Sequence, residues 1–171
     1  MIKKRVLFPL LMLFFLFSST LWAIRNKIEL PTQLKLEVEV LLNEGLVLHK
    51  NLVEDNLRQA TKTMRRVLSQ KKRVDKQLSK AKNTRPHLEK ILNAIQVNME
   101  NALSEDAKNR DEYLKATFEQ LVQILKVFKV TEYPVFFCSK NKTLWYQEDK
   151  RKPRTPVSHK LYKTCGHSIQ I

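Results

Sequence analysis

The sequence predicts an all-α protein: an antiparallel four-helix bundle that carries a small C-terminal β-hairpin and loop tail. Three observations predict it. Only Gly45 and Gly166 interrupt a chain rich in Leu, Lys, Glu and Gln, a composition that favours helix. Between residues 32 and 128, apolar residues recur at spacings of three and four in four runs, each making one stripe on a helix. No such stripe can be buried alone, so helices joined by short links must pack on one another. After Tyr133-Pro134 the pattern changes to two short aromatic and β-branched runs.

The first segment is not part of the bundle. Lys3, Lys4 and Arg5 precede an apolar run over 6–17, then Ser18-Ser19-Thr20 and an exit at Ala23. This is the pattern of a secretory signal peptide over 1–23. An uncleaved membrane anchor is the competing reading, because the run extends to Ile24 and approaches the roughly 17–25 residues that span a bilayer. The Ser-Ser-Thr break and the Ala exit favour cleavage. No cysteine follows the run, so no lipoprotein anchor is expected. Residues 24–171 then read as a single domain, with the tail 133–171 packed on the bundle, periplasmic or secreted.

Helix one is expected over 32–53. The stretch LKLEVEVLL alternates as a strand would, but Leu34, Val38, Leu41, Gly45, Leu48 and Leu52 form a longer helical seam. Asp55 or Asn56 caps helix two, whose seam is Leu57, Ala60, Met64 and Val67 or Leu68. That seam fades at Lys71, with Val74 and Leu78 as its continuation. Thr84 caps and Pro86 opens helix three, which carries Leu88, Ile91, Leu92, Ile95 and Met99. Ser104-Glu105-Asp106 opens helix four, with acids where the dipole favours them, and the seam runs from Ala107 through Leu114, Phe118, Leu121 and Leu125 to Phe128. Residues 135–137 and 143–146 form the hairpin, with Trp145 as the anchor that packs it onto the bundle. Leu161, Tyr162 and Ile169 are the packing residues of the last stretch.

The net charge is +15, and only three of those charges leave with the signal. Such basicity points to polyanions. An exported chain is not expected to meet nucleic acid, which leaves lipid head groups, lipopolysaccharide phosphates and wall polymers. The charge is spread along the helices, with runs at Lys71-Lys72-Arg73 and at a basic patch of Lys150, Arg151, Lys152 and Arg154. It reads as solvated helix faces and a basic loop, with weak and diffuse anion binding, rather than as a compact anion site.

Cys138 and Cys165 are the only cysteines. A disulfide between them is the preferred reading: the chain is exported, the count is even, and the charged tail lacks the apolar bulk to hold itself. A zinc or copper site built from Cys138, His159, Cys165 and His167 is the alternative, and free thiols are a third. Of these ligands only Cys165 and His167 are closely spaced. A cysteine nucleophile would need a base, an orienting group and a pocket, so the chain is not read as an enzyme. His49, beside the seam of helix one, and His87, at the opening of helix three, read as boundary residues and not ligands, and Met64 and Met99 as core filler.

Three stretches carry a resemblance. They are LHKNLVEDNLRQATKTM, ALSEDAKNRDEYLKATFEQLVQIL, and the order Cys138, Trp145, Pro156, Cys165-Gly166. Over about residues 34–167 the chain resembles a bacterial periplasmic helical domain family of unknown function, found alone and appended to copper/silver efflux adaptor proteins. The resemblance implies a helical periplasmic domain with a role in heavy-metal, notably copper, handling beside a metal-efflux component. The sequence departs from the family at Cys138-Ser139-Lys140, where Cys-Pro-Met is usual, so a cation replaces a soft sulfur ligand. Thr155-Pro156 likewise stands where Asn-Pro is usual. The expected function is therefore that of an exported, non-enzymatic binding or accessory protein linked to heavy-metal handling. The alternative is a basic interaction module for anionic envelope components or a protein partner.

Overall fold

Pro31, with φ −53° and ψ 140°, sets the entry to the first helix from an extended chain. The computed structural model describes residues 27–81, 85–104, 107–150, 152–162 and 164–171. The signal or anchor segment, the Thr84 cap, Glu105, Asp106 and Arg151 lie outside the described residues. Four long helices follow: α1 (Thr32–Val53), α2 (Leu57–Leu78), α3 (Arg85–Ser104) and α4 (Ala107–Val127). The α1 seam residues Leu34, Val38, Leu41, Leu48 and Leu52 are all buried, so the longer period overrides the local alternation. Asn56 caps α2, its side-chain oxygen accepting from the Gln59 N–H.

α2 runs through Lys71 to Leu78, with the continuation residues Val74 and Leu78 buried. Lys71 is buried because its ammonium donates to Gln96 Oε1 at 2.8 Å and pairs with Asp75 at 2.8 Å, which satisfies the charge. One helix boundary differs from expectation: Ser104 closes α3 instead of opening α4, and its hydroxyl donates to the Asn101 carbonyl.

α1 packs on α2, α3 on α4, and α2 meets α3. The α1–α2 links run in opposite order along the two helices. Gln70 donates to Glu37, Arg66 Nε lies 2.9 Å from Glu44 Oε2 as an ion pair without hydrogen-bond alignment, and Asn51 donates to Thr63. Ile28 bridges to Phe128, tying the chain ahead of α1 to the end of α4.

The tail holds more strand than the predicted hairpin. β1 (Val135–Cys138) pairs with β2 (Thr143–Tyr146) and, on its other edge, with β3 (His167–Ile169), giving an antiparallel sheet of order β2-β1-β3. A single turn, α5 (His159–Tyr162), precedes β3. Leu161 is 78% exposed, whereas Ile169 lies against the core. Nor is the hairpin an appendage on a finished bundle. α1 meets α4 at few residues, among them His49 against Phe118, and β2 packs on α4 while reaching α1. Trp145 and Tyr146 head the fully buried side chains, and Phe136 stacks on Trp145 with centroids 5.8 Å apart. Removing about 150–250 Å² of each of the two from water is worth roughly 4–6 kcal/mol apiece. Tyr146 donates its hydroxyl to the Leu42 carbonyl at 2.7 Å, over the space left by Gly45.

Candidate functional site

Cys138 and Cys165 are joined in a disulfide, with Cα atoms 5.3 Å apart and a sequence separation of 27. Cys138 is buried at the end of β1, and Cys165 lies just ahead of β3. The Cys165-Gly166 step has a steric cause. Gly166 takes φ +148°, and a Cβ there would sit 2.6 Å from the Trp145 ring and 2.9 Å from Pro153. Only glycine lets the backbone cross the indole at that angle. His167 is exposed, its ring edge-on to Phe137 at 5.8 Å. The side chain of His159 lies outside the described residues.

The copper or zinc implied by the resemblance does not fit this donor set. Both sulfurs are bonded to each other, so neither is the thiolate that a metal requires. Among the described residues, no three or more His, Cys, Asp or Glu gather as a metal site needs.

Arg151 of the predicted basic patch lies outside the described residues, and the other three members line two clefts. Lys150 lines a cleft of about 720 Å³ with Lys27, Glu132 and residues 168–171. Lys152 and Arg154 line a different cleft, of about 550 Å³, against α1. There Lys50, Lys152 and Arg154 face Glu54, Glu148 and Asp149, so cations and anions balance. Arg154 also has structural work: its guanidinium donates to the Val53 carbonyl at 3.3 Å, at the end of α1, where a cation suits the helix dipole.

Two residues that the sequence reading passed over hold this loop. Gln147, 4% exposed, accepts at Oε1 from the Trp145 indole N–H and the Arg154 N–H. Its Nε2 donates to the Asp149 and Lys152 carbonyls, so every polar valence of a buried amide is used. His49 is not a boundary residue but is buried, with its Nε2–H donating to the Arg154 carbonyl at 2.7 Å and its ring edge-on to Phe118 at 6.3 Å. Burial pushes its pKa down to about 4, so the imidazole is neutral. A carbonyl acceptor fixes the proton on Nε2.

The largest concentration of charge lies elsewhere. Arg58, Lys62, Arg65, Lys72, Arg73 and Lys76 are all exposed on α2. At 100° per residue they fall on one half of the helix, opposite the buried Ala60, Val67, Val74 and Leu78. The only acid on α2, Asp75, lies off that face and is paired with Lys71. The ridge spans about 27 Å from Arg58 to Lys76 at 1.5 Å per residue. The spacing 58, 62, 65, 72, 76 was open to reading in the sequence.

No protein-family model, curated protein or solved structure matches this chain. Among the described residues, no helix is long and apolar enough to cross a membrane. The disulfide fits an oxidising compartment outside the cytoplasm.

Proposed function

We propose that this chain is an exported, non-enzymatic interaction module that engages anionic components of the cell envelope, with its helices forming an antiparallel bundle. The observation that carries this reading is the exposed cationic face of α2, on which no acid of that helix lies. Cations gathered on one face of a helix make a stronger local potential than the same charges scattered over a surface. The disulfide supports the extracytoplasmic setting, and the signal-like first segment supports export. Heavy-metal handling is the weaker reading, since its sulfur ligands are bonded to each other. Calorimetric titration of the oxidised protein with polyphosphate tests the proposal. Binding should be strong at low salt and fall linearly with the logarithm of salt concentration. Absence of polyanion binding at low salt, or stoichiometric copper or zinc uptake by the oxidised protein, would overturn it.

A further inference from the structure

We infer that the partner of the α2 face is the surface of a bilayer containing anionic phospholipid, on which the helix lies flat. This rests on the anion-binding reading above and names its partner. Several observations favour a plane over a strand. The six cations are exposed and lie opposite the packed side of their helix. The three clefts formed by described residues are lined by none of these six cations. α2 carries no aromatic side chain, so it lacks the stacking platform that holds single-stranded nucleic acid. Lysine and arginine have long stems, so six cations around half a helix can all reach one plane of head-group phosphates.

Each juxtamembrane cation contributes about fivefold to such binding, so neutralising two should weaken it about 25-fold. The test uses the protein as exported, with three forms compared: unchanged, Arg65→Gln with Lys72→Gln, and Lys150→Gln with Lys152→Gln. The N-terminal residues are common to all three, so their contribution cancels. Co-sedimentation is measured with phosphatidylcholine vesicles with and without phosphatidylglycerol, and polyphosphate titration is run beside it. Thermal melts confirm that each form is folded; the substituted side chains are exposed. The expected result is binding only to phosphatidylglycerol-containing vesicles, weakened about 25-fold by the α2 pair and less than about twofold by the loop pair. Equal losses from the two pairs would show diffuse attraction and overturn the α2 docking face. Polyphosphate binding without vesicle binding would overturn the bilayer as partner and leave the anion-binding function standing. Binding to neither would overturn both.

Discussion

His49 shows how one buried side chain makes the molecule pH-sensitive. Its folded pKa is depressed from 6.5 to about 4 by burial, so the unfolded chain binds the proton more readily. The stabilisation is complete above pH 6.5 and is lost as pH falls from there through about 4. A shift of this size corresponds to about 3 kcal/mol. Urea unfolding between pH 7 and pH 4 should show that loss, and His49→Gln, which keeps a donor for Arg154, should remove most of the slope. An unchanged slope in the variant would assign the acid sensitivity to other groups. Gly45 is constrained by a different force. A Cβ there would lie 2.1 Å from the Tyr146 hydroxyl and 3.0 Å from Leu121 Cδ1. Tyr146 is fully buried and hydrogen-bonded, so it cannot swing aside. Gly45→Ala should cost about 2–3 kcal/mol, as overpacking does. Adding Tyr146→Phe should recover part of that cost, because it removes the nearest atom. Strict additivity of the two changes in thermal unfolding would refute this contact.

Within the tail, two elements are held by different means. The β1–β2 hairpin is held by Trp145 and Tyr146, whose burial outweighs a single cross-link. β3 offers only the half-buried Ile169, two exposed residues and one edge of pairing, so it depends on Cys165. Closing a loop of this length restrains the unfolded chain by about 3–4 kcal/mol in the chain-entropy account. Cys165→Ser should therefore lower the melting temperature and open the segment around Lys150–Lys152 to trypsin, while the far-UV helical signal and the buried Trp145 fluorescence persist. Exposure of Trp145 in this variant would show that hairpin and cross-link stand or fall together. Gln147→Ala should also loosen this loop, since it strands the Arg154 N–H, the indole N–H and two carbonyls.

Across the whole molecule, positive charge exceeds negative by +15, and α2 concentrates it. Arg58 with Lys62, Lys62 with Arg65, and Lys72 with Lys76 are like charges three or four residues apart, which weakens a helix. Screening relieves such repulsion, so the melting temperature should rise as sodium chloride is raised from low concentration, and should rise further with polyphosphate. A melting temperature that falls with salt would mean that ion pairs such as Arg66–Glu44 outweigh the repulsion.

The helices were legible in the sequence because local periodicity dictates them. Leu88, Ile91, Leu92, Ile95 and Met99 fall on one side of any α-helix, and all are buried. The hairpin was legible from its aromatic and β-branched runs. The pairing of Cys138 with Cys165 could be argued from compartment and count. β3 could not be seen, because three residues with one half-buried side chain carry no period of their own and become a strand only through β1. The roles of Gln147, His49 and Arg154 were hidden for the same reason: their partners lie up to 105 residues away. Sequence alone thus determined the helices, their apolar faces and the sum of the charge. Tertiary structure decided which polar groups meet, that the hairpin completes the core, and that α2 turns its cations outward. Periodicity and composition act over a few residues, whereas burial and hydrogen bonding act between neighbours that only folding brings together.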